Sequence, residues 1–148
     1  MLSLIGVQTI GYDKINQLRH AKFLKNMDGV RAHMKKHAEI IAPKFDAVLK
    51  AFNEELGGKG IAEWTNPNGG YFISLNVMNG CARRTVELCR EAGVVLTPAG
   101  ATYPYGKDPD DSNIRIAPTF PPVEELELAV DLLCTSVQLA AAEKLLAE

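Results

Sequence analysis

Apolar residues recur along this chain with two different periods, and the change of period divides it into elements. In "YDKINQLRHAKFL", residues 12–24, Ile15, Leu18, Phe23 and Leu24 fall near one side at helical spacing, with Asp13 suited to the positive end of the helix dipole. The spacing predicts a first helix there. After Asn26, a helix-capping residue type, "MDGVRAHMKKHAEIIAPKFDAVLKAFNEEL" repeats apolar residues at Val30, Met34, Ile41, Phe45, Val48, Leu49 and Phe52. This is the longest helical signal in the chain. Pro43 falls inside it, where it removes one backbone donor and crowds the preceding turn, so a kink or break is expected near Ala42. Gly57, Gly58 and Gly60 end the run.

The pattern then shortens. "IAEWT" and "YFISLNV" are β-branched and aromatic, and "NPNGG" between them has the chemistry of a tight turn, which predicts an antiparallel hairpin. "ARRTVELCREAG" supplies a short amphipathic helix closed by Gly93. "VVLTP" reads as a third strand and "NIRIAP" as a fourth, with "AGATYPYGKDPDDS" looping between them. A last helix runs from Val123 to about Leu146, after Pro121 and Pro122 and with Glu124 and Glu125 in its first turn. The expected architecture is α+β: a small, mainly antiparallel sheet of about four strands packed with helices, in one domain over residues 1–148.

Composition narrows the classes of partner. The chain has 148 residues with 47% hydrophobic content, enough for a core without disulfide or metal staples. Its formal net charge is −2 and its Lys and Arg residues are spread along the whole length, so neither nucleic acid nor an anionic membrane is expected as a partner. Cys81, Cys89 and Cys134 are odd in number and lack CxxC spacing, which fits reduced, buried thiols in a cytosolic protein. The start, "MLSLIGVQTIGYDK", has no basic region and no cleavage signal, and no segment reaches the length of a membrane span. Leu2, Leu4, Ile5, Val7 and Ile10 nevertheless make this end more apolar than a free terminus, which suggests a missing upstream part.

Arg115 is the residue that asks for an explanation. Ile114 and Ile116 flank it in "SNIRIAPTFP", so alternation puts the isoleucines on one face of the strand and the guanidinium on the other. Read from the residues alone, it is either a solvated surface cation or a planar fork that grips a carboxylate or phosphate through two parallel hydrogen bonds. Other candidates carry less. Asp108, Asp110 and Ser112 have EF-hand spacing, but Asn113 stands where that loop needs Gly and Thr119 where it needs Glu, so calcium is not expected. His33 and His37 lie one turn apart without the internal glutamate of a zinc helix, between two lysines, and read as a solvated face; no metal is expected. Cys81 and Cys89 read as packing residues, and "NPNGGYF" joins strand to strand rather than strand to helix, unlike a phosphate-cradling loop. No nucleophile–base set and no acid–base pair of carboxylates stands out, so no catalytic residue is assigned.

The succession "NPNGGYFISL", a helix, "GVVLTPAGATYPYG" and "SNIRIAPTFPPVEELELAVDLL" resembles the C-terminal small domain of fold type I pyridoxal-phosphate aminotransferases. In that family a P-x-GG hairpin is followed by a V-x-hydrophobic-x-PG-aromatic loop and then by a strand holding an arginine near the start of the last helix. "QTIGYDKINQLRHAKFLKN" and "RIAPTFPPVEELE" look closest to the aspartate aminotransferase-like branch related to the MocR group. The loop departs from the commoner pattern: it reads "PAGATY", so Gly100 and Tyr103 align only with Ala99 as an extra residue.

The resemblance implies that Arg115 binds the α-carboxylate of an amino-acid or 2-oxo-acid substrate. It implies pyridoxal phosphate as cofactor, held mainly by a large domain, and a cytoplasmic homodimer in the intact enzyme. In such a dimer the segment matching "GVQTIG" approaches the partner subunit's cofactor site, which makes Gln8 and Thr9 candidate contacts. The family's large-domain features, among them the Schiff-base lysine, match nothing here; Lys14 and Lys107 lack its Ser-Lys setting. The chain is therefore expected to be a transaminase fragment without its PLP-binding domain, inactive in isolation. The alternative is a free-standing α+β module that binds a small carboxylate or a protein partner through the face presenting Arg115.

Overall fold

A computed structural model describes residues 6–7 and 13–147. Its elements are α1 (Lys14–Leu24), α2 (Met27–Glu55), β1 (Ala62–Trp64), β2 (Ile73–Val77), α3 (Ala82–Glu91), a 3-10 turn (Pro104–Gly106), β3 (Asn113–Ile116) and α4 (Val123–Ala147). The chain divides into two compact units, Met1–Ile40 and Ile41–Glu148. The α+β expectation holds, with a three-stranded sheet among the described residues.

In the first unit, α1 begins where Asp13 Oδ1 accepts the Asn16 N–H at 2.9 Å, and α2 begins where Asn26 Oδ1 accepts the Gly29 N–H at 2.9 Å. Both are side-chain caps of otherwise orphaned donors. The apolar positions of α1 are nonetheless open: Ile15, Leu18 and Phe23 are exposed, and no residue of this helix is buried. The break expected near Ala42 does not occur, since α2 continues through Pro43 to Glu55. A single missing donor leaves the ladder on either side intact, and Phe45, Val48 and Phe52, just beyond the proline, anchor the helix in the core.

The second unit holds the core. Strand order is β1-β2-β3, both pairs antiparallel, with Leu75 opposite Trp64 on one side and Ile114 on the other. Ile73, Leu75 and Val77 of β2 alternate inward with Ile114 and Ile116 of β3, and join Phe52 and Leu56 and Leu126, Val130, Leu133 and Val137 of α4 in one buried cluster. The Phe52 ring meets Trp64 with centroids 5.4 Å apart. Cys81, Cys89 and Cys134 are all buried, in line with the packing role read for the first two.

Two strand expectations change. The β1–β2 hairpin forms, but its connection is longer than a tight turn: Thr65 N–H still bonds Ser74 O at 3.0 Å, and Thr65 Oγ1 takes the Ser74 N–H at 3.0 Å. "VVLTP" joins no sheet. The Val94 N–H is used at the end of α3, where it bonds Cys89 O at 2.8 Å, and the run then meets Pro98, which has no donor. β-branched composition gives a strand only where a neighbouring backbone edge is available.

Candidate functional site

The site is the sheet face opposite the core. In the β2–β3 register Ser74 faces Arg115 and Asn76 faces Asn113, while Glu63 of β1 faces Asn76. Because Ile73, Leu75, Val77, Ile114 and Ile116 turn inward, the polar residues between them line the other side.

Asn113 organises this face although it is itself buried. Its amide donates to Ser74 Oγ at 2.9 Å and to Asn76 Oδ1 at 2.6 Å, and its Oδ1 accepts from Thr102 Oγ1 at 2.5 Å. Both amide hydrogens and the carbonyl are thus used, which locks the side chain across two strands and a loop.

Asp108 sets where β3 begins. Its Oδ2 accepts the N–H groups of Ser112 and Asn113, each at 2.8 Å, and its Oδ1 accepts that of Asp110 at 3.1 Å. Burial pushes its carboxyl up, but these backbone donors, Asn113 first, outweigh that and hold it below the ordinary aspartate value. Asp111 closes the other side of the loop: its Oδ1 accepts the backbone N–H of Arg83 at 3.2 Å and the Arg83 Nε–H at 3.1 Å, at the start of α3. Asp108, one of the residues with EF-hand spacing, and Asp111 thus spend their carboxylates on donors of the chain itself, fastening the loop to β3 and α3.

Gly100 closes the preceding turn. Its φ of +76° is in the left-handed region, and a Cβ there would stand 2.9 Å from Gly106 O. Its N–H bonds Asn113 O at 3.1 Å and its carbonyl accepts from Tyr103 N–H at 2.9 Å. Tyr103 lines a polar hollow with Glu63, Asn76, Asn79, Asp110 and Ser112.

Against this pinned background Arg115 keeps a buried donor, its Nε, without a hydrogen-bond partner among the described residues. It is half-buried, and its guanidinium carbon lies 4.6 Å from the centre of the Phe72 ring. Buried donors are almost always paired, so the unpaired Nε over an aromatic face marks Arg115 as the candidate binding residue of this face. A planar carboxylate fits its fork. Beyond β3, Lys44 Nζ donates to Thr119 O at 2.8 Å and Phe120 O at 3.3 Å, which ties down the segment leading to α4.

Of the site residues read from sequence, Arg115 stands where alternation put it, and Gln8 and Thr9 lie outside the described residues. Residue order alone does not name Phe72 and Ser74 as its surroundings. Period-2 counting back from Arg115 reaches Asn113, but only the register names Ser74 and only the fold brings Phe72 under the guanidinium. His33 and His37 belong to the other unit.

Comparison with known proteins gives a consistent result. The family model for aspartate amino-transferase matches residues 2–148. An aspartate aminotransferase of Corynebacterium glutamicum is 53% identical over 138 residues, 93% of this chain and 32% of that protein. The crystal structure of an aspartate transaminase from the same organism superposes with a TM-score of 0.89 at 51% identity, covering 96% of this chain and 34% of that one. The chain thus spans about a third of the length of the curated relatives it matches. An α-aminoadipate aminotransferase of Thermus thermophilus, solved with N-(5'-phosphopyridoxyl)-L-leucine, shares the fold at 20% identity and a TM-score of 0.73, over 93% of this chain and 34% of that one.

Proposed function

Because the chain belongs to the aspartate amino-transferase family, we propose that it acts as the C-terminal small domain of a pyridoxal-phosphate-dependent, aspartate-type transaminase and supplies the arginine that binds the substrate α-carboxylate. The observation that carries this reading is Arg115, half-buried over Phe72 with its Nε unpaired. Two parallel N–H···O bonds from the guanidinium to a carboxylate would fix the orientation of an amino acid or 2-oxo acid.

When bound, the cofactor supplies the electron sink for chemistry at the substrate's α-carbon. This chain's share is binding and orientation. Arg115 holds one end of the substrate; Asn113, pinned by Asp108, Ser74, Asn76 and Thr102, keeps the strand beneath it in register. Lys44, packed against two backbone carbonyls, is not disposed to act as an amine toward the cofactor, and Lys14 and Lys107 are exposed. The cofactor is accordingly assigned to a large domain, and the 148-residue chain alone is expected to show no turnover.

The finer parts of the proposal rest on the family resemblance. They are a homodimer in which Gln8 and Thr9 approach the partner subunit's site, a cytoplasmic location, and a place in the branch related to the MocR group. Among the described residues no helix is long and apolar enough to cross a membrane.

The test is Arg115→Lys in a transaminase that contains this chain together with a large domain. Lysine keeps the charge but loses the fork, and kcat/KM for the amino acid is expected to fall roughly 10- to 100-fold, as for loss of a charge-assisted hydrogen bond. Unchanged affinity and turnover would overturn the assignment and favour a separate binding module.

A further inference from the structure

Two imidazoles in the first unit converge on one point. His33 and His37, successive turns of α2, place their Nε2 atoms 3.1 Å apart. Their ring centres are 4.5 Å apart with planes at 77°, so the nitrogens are closer together than the ring centres. Phe23 of α1 meets His33 edge-on with centroids 5.1 Å apart, which restricts the turning of that ring.

This spacing matches a chelate. Two nitrogens each about 2.0–2.1 Å from one cation lie about 2.9 Å apart when the angle at the metal is a right angle, and about 3.4 Å apart when it is tetrahedral. The observed separation falls between these. We propose that His33 and His37 form a two-imidazole site on α2 for a borderline divalent transition-metal cation, with water filling the remaining positions.

Imidazole suits Cu²⁺, Ni²⁺ and Zn²⁺, and the general order of affinity puts Cu²⁺ first. Among the described residues no cluster of three or more His, Cys, Asp or Glu forms, so the rest of the coordination shell is left to solvent or to an added ligand. In the metal-free chain one Nε2–H donates to the other Nε2. A cation bound by both Nε2 lone pairs displaces that proton, which passes to Nδ1 of the same ring, so that each ring carries its proton on Nδ1. Lys35 and Lys36 lie in the same turn, and their repulsion, screened at this exposed surface, works against the site without blocking it.

The experiment is titration of the 148-residue chain with Cu²⁺ carried by iminodiacetate, read by electron paramagnetic resonance. Expected is one saturable equivalent with couplings from two imidazole nitrogens, weakened roughly tenfold or more in His33→Gln and in His37→Gln because the second contact is intramolecular only when both rings are present. His20→Gln, on α1, should bind as the parent does. Circular dichroism checks that each variant keeps its helices. Absence of saturable uptake by the parent chain, a one-nitrogen signal, or binding by either His variant as tight as the parent's would overturn the proposal.

Discussion

The guanidinium carbon of Arg115 lies 4.6 Å from the ring centre of Phe72. Phe72 immediately precedes β2 and Arg115 sits within β3, so the strand pairing itself brings the ring beneath the cation. An aromatic face attracts a cation without using its N–H groups, and so limits the guanidinium's freedom while leaving its hydrogen bonds to a ligand. In a transaminase containing this chain, Phe72→Ala should therefore raise KM for the amino acid about two- to fivefold, the equivalent of roughly 0.5–1 kcal/mol for an exposed cation–π contact. Phe72→Tyr should retain the parent value. Equal kinetics for the Ala variant and the parent would mean that the ring does not position Arg115.

Asp108 is expected to act on stability. Three backbone N–H groups converge on its carboxylate, two on Oδ2 and one on Oδ1. Asp108→Ala should cost about 1–2 kcal/mol, as for loss of a capping carboxylate, seen as a lowered denaturation midpoint. Because the folded-state value is depressed, this contribution is present above the ordinary aspartate range and fades as pH falls below about 4. The difference between parent and Asp108→Ala should accordingly shrink in acid. A gap that stayed constant down to the acid transition would show that the carboxylate's charge is not what counts.

Cofactor chemistry gives a third prediction. Schiff-base amines are activated by desolvation or by a neighbouring cation, and the described lysines discussed above are either exposed or engaged with backbone carbonyls. Pyridoxal phosphate followed by borohydride should label the isolated chain weakly and at several lysines, as peptide mass mapping would reveal. Stoichiometric labelling of one lysine would mean that the chain holds its own cofactor, against the proposed division between two domains.

Much of this was readable from residue order. Helical spacing located α1, α2, α3 and α4, and alternation in "NIRI" fixed which way Arg115 faces, because both depend only on near neighbours. The misreadings come from distant parts of the chain. "VVLTP" has strand composition, yet its first N–H belongs to the end of α3. Pro43 has the local chemistry of a break, yet the buried Phe45, Val48 and Phe52 hold α2 together beyond it. The surroundings of Arg115 were hidden for the same reason. Ser74 and Phe72 become its neighbours through strand pairing, and Asp108 reaches Asn113 at the start of the same strand through a loop that folds back on β3.

The buried thiols offer a prediction whose sign can be worked out. Cys134, on α4, has its thiol pushed up to about 12 by burial and then by the negative charges of Glu55 and Asp131, and burial raises Cys89 as well. The thiolate is the reactive form, so in the folded chain neither residue should react measurably with iodoacetamide near pH 8, whereas both should react in denaturant. The same shift makes stability depend on pH. Between the ordinary thiol value near 9 and the folded value near 12, the unfolded chain loses the Cys134 proton and the folded chain keeps it, so stability falls as pH rises through that interval. In Cys134→Ala the fall should be shallower, since one titrating group has been removed, although the small cavity lowers stability at every pH. Denaturant midpoints for the two proteins across that interval decide the matter: parallel curves, or rapid alkylation of native Cys134, would show that its thiol is not held protonated by the core.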